Sequence, residues 1–119
     1  MKIYGEEYGF MLTVGASALI SDLCPDGDLT KMDALLNGRY SQTVNFTAAF
    51  IEAMAKGFDD AKAYAGEEIT HKPLTAEMVK SLPIDAFRDV QAAALAAFKN
   101  DTTASVEVAS SKKKEENPA

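Results

Sequence analysis

The sequence has few of the residues from which disulfides and metal sites are built. Its 119 residues include one cysteine, Cys24, one histidine, His71, and no tryptophan. A single cysteine excludes an intramolecular disulfide, and the usual zinc site needs three or four His or Cys ligands. His71 precedes Pro73 in a polar stretch and is predicted to lie in an exposed loop with a structural or neutral role. We therefore predict no metal site, no cofactor and no catalytic residue.

Positive charge is also scarce. Twelve Lys and Arg residues stand against 18 Asp and Glu residues, which gives a net charge of −6. This balance disfavours nucleic acid and anionic membranes as partners, because both attract clustered Lys and Arg. No run approaches about 18 apolar residues, the length of a membrane span. The first seven residues do not resemble a signal peptide, so we expect a soluble protein of a reducing compartment.

The acidic residues near Cys24 do not form a recognisable site. A calcium loop that began at Asp26 would need a glutamate at its twelfth position, where this chain has Asn37. Asp26, Asp28 and Asp33 are therefore predicted to be turn and capping residues. The charges of the near neighbours Asp22, Asp26 and Asp28 would raise the pKa of Cys24, which we interpret as a small, half-buried, unreactive side chain.

Composition divides the chain into two parts. Residues 1–100 hold every aromatic residue, whereas residues 101–119 have only Val106 and Val108 as large apolar side chains. Such a segment cannot bury enough surface to offset its loss of entropy on ordering. We therefore predict one domain over residues 1–100 and a disordered charged tail over residues 101–119.

The N-terminal third predicts a small β-hairpin followed by two short helices. Residues 3–4 are expected to pair with the aromatic and β-branched residues 8–14. A helix over residues 16–23 would end at Pro25. Thr30 is predicted to cap a second helix that ends in a left-handed turn at residues 37–38.

Three further helices are predicted, and the periodicity is clearest for the first. Over residues 43–65, apolar side chains recur at about 3.6 residues per turn. A short helix over residues 76–82 is capped by Thr75, and Pro83 separates it from a last helix that ends near Lys99. The expected fold class is mainly α, with four to five helices, a short N-terminal β-hairpin and a disordered C-terminal tail.

The aromatic stripe of the long helix has two interpretations. Core packing is the simpler one, but a domain of this size can leave part of such a stripe exposed for a partner helix. The candidate partner-binding apolar surface consists of Phe46, Phe50, Met54, Phe58 and Phe98.

The order of these elements resembles the tail assembly chaperones of bacteriophages with long, non-contractile tails. The resemblance is carried by YGFMLTVGA at residues 8–16, by DLTKMDALL at residues 28–36, and by LTAEMV and IDAF at residues 74–79 and 84–87. The lysine-containing end, SVEV at residues 105–108 and then KKKEE at residues 112–116, is similar to the charged ends of that family.

The resemblance implies a non-enzymatic protein of the host cytoplasm that is absent from the finished virion. Such chaperones bind the tape-measure protein, keep it soluble and recruit tail-tube subunits. A longer form arises there by ribosomal frameshifting, and Lys112, Lys113 and Lys114 are the candidate slip position. An alternative is a structural protein of the phage, such as a head–tail connector or a minor tail component.

Two other functions are weaker alternatives. An acidic inhibitor that imitates nucleic acid would need ordered carboxylates on one face, and here the acids are scattered among lysines. An enzyme would need a pocket with convergent polar groups. An exposed edge of the hairpin could also join copies of the protein, so self-association stays open as an alternative.

Overall fold

The computed structural model describes the backbone of residues 1–114 and the side chains of residues 1–102. This part of the chain is mainly helical, with a short N-terminal antiparallel hairpin, as the sequence predicted. The strands are β1 (Lys2–Ile3) and β2 (Glu6–Glu7), and the α-helices are α1 (Val14–Leu23), α2 (Met32–Leu36), α3 (Tyr40–Tyr64), α4 (Ala76–Lys80) and α5 (Ile84–Lys114). Two 3₁₀ turns, Pro25–Gly27 and Leu29–Lys31, join α1 to α2.

Helix α3 is the centre of the fold, because it packs against each of the other four helices. A helix that is surrounded in this way buries more than one face. Its buried residues are Phe46, Thr47, Ala48, Phe50, Ile51, Ala53, Met54, Ala55 and Gly57. The predicted helix is confirmed, but its stripe ends early, since Tyr64 is 94% exposed.

The hairpin is shorter than predicted. Lys2 pairs with Glu7 and Ile3 with Glu6, and the chain reverses at Tyr4 and Gly5, whose φ angles are +53° and +80°. Two successive residues with positive φ form the tight turn that suits a two-residue hairpin. The prediction that residues 8–14 form the second strand is therefore wrong.

Residues 8–13 instead run as an extended segment against the helices. The Met11 amide donates to the Met54 carbonyl over 3.1 Å, and the Leu12 amide donates to Asp101 Oδ2 over 2.7 Å. These backbone groups find partners on α3 and α5, so they need no neighbouring strand. Their apolar side chains produced the strand-like pattern because they pack on the helical core.

The short helices are capped partly as predicted. Thr75 accepts from the Met78 amide at the start of α4, which confirms its capping role. Ahead of α2, however, Asp28 accepts from the amide and the hydroxyl of Thr30, so the cap is Asp28 at the preceding 3₁₀ turn. The expected left-handed end of α2 is also wrong: Asn37 has φ −116°, and its Nδ2 donates to the carbonyl of Asp33.

Helix α5 is longer than the sequence predicted, since it continues past Lys99 to Lys114. No glycine or proline interrupts this stretch, and the Asp101 carboxylate is held by the Leu12 amide. The expected boundary between the domain and the tail therefore falls inside the helix. Residues 115–119 of the predicted disordered tail, and the side chains of the lysine run, lie outside the described residues. Within the described part, no helix has the length and apolarity to cross a bilayer.

Candidate functional site

The predicted partner surface is mostly core. Phe46, Phe50 and Met54 are 5%, 1% and 0% exposed, so the prediction that they form a partner-binding surface is wrong. The Phe50 ring packs edge-on against Phe98, with 5.5 Å between the ring centroids. These side chains are unavailable because the helices around α3 cover them.

Phe58 and Phe98, the two remaining members of the predicted surface, are half-buried. A Cβ atom at Gly9 would lie 2.5 Å from the Phe58 ring, which shows how closely the N-terminal segment crosses this side chain. The Lys62 ammonium lies 5.1 Å from the ring centroid. Phe58 is therefore covered by the backbone at Gly9 and by a cation, which leaves little of it for a partner.

An open cleft lies elsewhere on the molecule, between the first half of α3 and the junction of α4 with α5. Its volume is about 180 Å³. We call it the α3–α5 groove and define it by Tyr40, Thr43, Val44, Thr47, Lys80, Leu82, Ile84, Phe87, Arg88 and Gln91.

The groove has apolar walls and exposed apolar rims. Val44, Leu82 and Phe87 are half-buried along it, whereas Tyr40 and Ile84 are 77% and 61% exposed. Large apolar side chains that remain exposed beside a concave surface are typical of protein-binding sites. Contact with a partner would remove this apolar surface from water.

Two cationic side chains also border the groove. Lys80 Nζ lies 3.6 Å from Glu77 Oε2 and donates to Asn45 Oδ1 over 3.4 Å. Arg88 is exposed and forms no salt bridge with any side chain that the structure describes. The groove therefore offers a guanidinium group to a ligand on a protein whose net charge is −6.

Thr47 is the buried polar residue of the groove. It is 1% exposed, and its Oγ1 has no hydrogen-bond partner among the described residues. A buried hydroxyl without a partner costs on the order of 1–3 kcal/mol.

We expect Thr47→Val to raise the free energy of unfolding by about 1 kcal/mol, because valine keeps the shape and removes the unpaired hydroxyl. Chemical denaturation of both proteins measures this difference. Thr43→Val is the matched control: Thr43 Oγ1 donates to the Leu35 carbonyl over 2.9 Å, so its loss should destabilise the protein. A destabilising Thr47→Val would show that the hydroxyl has a partner in solution.

The α3 side of the groove does have a sequence signal that was missed. Tyr40, Thr43, Val44 and Thr47 follow the i, i+3, i+4, i+7 spacing of one helical face. The predicted helix begins at residue 43 and so excludes Tyr40, and Thr43 and Thr47 give this face a polar composition. Nothing local in the sequence places Ile84 or Arg88 opposite this face.

His71 is part of a second, polar cluster. Its side chain is 13% exposed, so the prediction of an exposed loop is wrong. His71 Nε2 lies 3.0 Å from both carboxylate oxygens of Asp59, and its ring centroid is 4.4 Å from that of Tyr8. The Tyr8 hydroxyl donates to the Lys72 carbonyl over 2.7 Å. These contacts fasten the connection between α3 and α4 to the N-terminal segment, which supports the predicted structural role.

Tyr8 gives this cluster a testable alkaline response. Burial first, then the charges of Glu6 and Asp59, raises the pKa of Tyr8 above its ordinary value of 10.0. Above pH 10 the unfolded chain loses this proton while the folded protein keeps it, so stability falls as the pH rises through that window. We expect Tyr8→Phe to be less stable at pH 8, where the hydrogen bond is lost, and to show a smaller further loss by pH 11.

Denaturant titrations at both pH values measure this response. Tyr64→Phe is the control, since Tyr64 is 94% exposed and should keep the wild-type dependence on pH. An equal loss of stability between pH 8 and pH 11 in wild type and Tyr8→Phe would contradict the assignment.

Cys24 is more buried than predicted, at 5% exposed. Burial is the larger cause that raises the pKa of its thiol, and the charge of Asp28 is the smaller one. Its Sγ donates to the Ile20 carbonyl over 3.4 Å. Within residues 1–102, no group of three His, Cys, Asp or Glu side chains is placed to hold a metal ion.

The fold and the groove together define a small, acidic, mainly helical protein in which an apolar cleft, bordered by Lys80 and Arg88, lies between α3 and α5. Comparison with protein-family models, with curated proteins and with solved structures found no match.

Proposed function

We propose that this protein is a tail assembly chaperone of a bacteriophage with a long, non-contractile tail. In this role it binds the tape-measure protein in the host cytoplasm, keeps it soluble and helps to recruit tail-tube subunits, without entering the virion. The proposed role involves no enzymatic activity. Its basis in sequence is the resemblance in the order of elements described above.

The observation that carries the proposal is the α3–α5 groove. A tape-measure protein is a long, largely helical chain whose apolar faces are exposed until the tail tube encloses it. A groove between two helices, with exposed Tyr40 and Ile84 on its rims, suits the apolar face of such a helix. The net charge of −6 would help to keep the complex in solution.

The test is to co-express the protein with the tape-measure protein of the same phage and to measure the soluble fraction of the latter. We expect the wild type to raise that fraction severalfold and Ile84→Asp to abolish the gain. Val14→Asp is a matched control, because Val14 is 88% exposed and is also the first residue of a helix. An unchanged soluble fraction with the wild type would contradict the proposal.

The alternative, a head–tail connector or minor tail component, makes a different prediction. Such a protein would be found in purified phage particles at a fixed number of copies, whereas an assembly chaperone would be absent from them. Mass spectrometry of washed particles distinguishes the two.

The proposal also includes a longer, frameshifted form. Expression of the native gene with its downstream DNA and an N-terminal tag should give the 12.8 kDa product and a rarer, longer one. Synonymous recoding of Lys112, Lys113 and Lys114 should remove the longer product. A single product from the native gene would remove the frameshift from the proposal.

A further inference from the structure

We infer that the α3–α5 groove selects a helical segment in which a large apolar side chain lies one turn from a carboxylate. The apolar side chain would fill the cleft, and the carboxylate would pair with Arg88. This inference rests on the proposed function, in that it assigns partner binding to the groove, and it adds the chemistry that the partner must carry.

The size of the groove favours a side chain as its occupant. Pockets for small molecules and cofactors commonly measure about 300–1,000 Å³, and this cleft measures about 180 Å³. A volume of that size is suited to one large apolar group. The walls of Val44, Leu82 and Phe87 offer such a group apolar contacts.

The charge of the groove identifies the second group that the partner must carry, a carboxylate. Arg88 is exposed and has no described carboxylate within salt-bridge distance, whereas Lys80 lies 3.6 Å from Glu77 Oε2. A guanidinium group presents donors in a fixed planar fork that matches a carboxylate. Among the described residues no carboxylate pairs with this guanidinium, which therefore complements an acidic side chain better than an amide or a cation.

The position of the groove between two helices accounts for the helical partner. Residues three or four apart lie on the same face of a helix. One helix can therefore place an apolar side chain in the cleft and a carboxylate over Arg88 at the same time. Arg88 follows Ile84 by one turn on α5, so the guanidinium lies one turn along from an exposed apolar rim.

The experiment uses fluorescein-labelled, alanine-rich helical peptides of about 17 residues and the full chain. One peptide carries Phe followed four residues later by Glu; a second replaces Glu with Lys, and a third replaces Phe with Ala. Fluorescence anisotropy measures each affinity for the wild type, Arg88→Glu and Arg39→Glu. Arg39 is the matched control, because it is exposed, lies outside the groove and gives the same change in net charge.

We expect the wild type to bind the Phe–Glu peptide at least fivefold more tightly than either of the other peptides. Arg88→Glu should reverse the preference between the Glu and Lys peptides, and Arg39→Glu should preserve it. Circular dichroism of each variant establishes that the proteins compared are folded.

Any of three outcomes would overturn the inference. The Phe–Glu peptide could fail to bind at millimolar concentration, the Glu and Lys peptides could bind with equal affinity, or the two arginine substitutions could have equal effects. Sedimentation as a dimer that Ile84→Asp dissociates would show instead that a second copy fills the groove.

The inference and the proposed function can fail separately. If the groove keeps the tape-measure protein soluble but shows no preference for a carboxylate, only the inference is contradicted. If the protein binds the Phe–Glu peptide selectively but leaves the tape-measure protein insoluble, only the proposed function is contradicted.

Discussion

Phe50→Ala is expected to lower the free energy of unfolding by about 4 kcal/mol and the melting temperature by about 15 °C or more. Phe50 is 1% exposed, and its ring packs between those of Phe46 and Phe98. Its removal loses buried apolar area and leaves a cavity that the surrounding helices can fill only in part. Since domains of this size have stabilities of about 5–15 kcal/mol, this loss is about a quarter to four fifths of the total stability.

The control for Phe50→Ala is Tyr64→Ala on the same helix. Tyr64 is 94% exposed, so its truncation should change the unfolding free energy by less than about 0.5 kcal/mol. Urea denaturation followed by circular dichroism measures both variants. A small effect at Phe50 would mean that its ring is exposed in solution, as the partner-surface hypothesis required.

Gly57→Ala is expected to lower the free energy of unfolding by about 1–2 kcal/mol. A Cβ atom there would lie 2.5 Å from the Met11 carbonyl oxygen and 3.1 Å from the Ala16 Cβ. The obstacle is backbone, so the N-terminal segment would have to move away from α3. Alanine gains about 1 kcal/mol over glycine in helix propensity, but overpacking of this kind costs about 1–3 kcal/mol or more.

The same substitution at Gly15 should have the opposite sign. Gly15 lies in α1, and a Cβ atom there would meet nothing closer than Thr13 Oγ1 at 4.0 Å. Gly15→Ala is therefore expected to stabilise the protein by about 0.5 kcal/mol through helix propensity alone. Thermal denaturation of the two variants side by side tests the pair. A stabilised Gly57→Ala would show that the segment over α3 is not closely packed there.

These effects separate stability from binding. Variants at Phe46, Phe50 and Met54 can reduce partner binding only by unfolding the protein, since the three side chains are core. Ile84→Asp should abolish binding while the protein remains folded. The order of melting temperatures and the order of affinities should therefore differ across these variants.

The presence of each helix could be predicted from the sequence because helix formation depends on residues that are close together in the chain. The periodicity of α3, the hydroxyl cap of Thr75 and the break at Pro83 act over three or four residues, and the structure contains all three. Helix ends were less predictable. The predicted end of α5 is Lys99, where large apolar residues become scarce, but the helix continues to Lys114 through a stretch that contains no glycine or proline.

The candidate site depended on contacts that a sequence pattern does not contain. An apolar stripe gives the direction of a helix face but not how many neighbours cover it. Core packing is the simpler interpretation of Phe46, Phe50 and Met54, but the stripe is also compatible with a partly exposed surface. The structure decided the question, because four helices pack around α3. The same packing left Tyr40 and Ile84 exposed on either side of a cleft.

Polar contacts between residues that are distant in the chain could not be predicted from the sequence either. His71 reads as a loop residue because its neighbours in the chain are polar. Its burial comes from Asp59 and Tyr8, which are 12 and 63 positions away in the sequence. The sequence by itself determined a mainly helical chain with a small hairpin and an acidic surface, since composition and short-range spacing suffice for these. The tertiary structure alone decided which apolar side chains are hidden and where Arg88 lies, because burial and juxtaposition depend on residues that are distant in the chain.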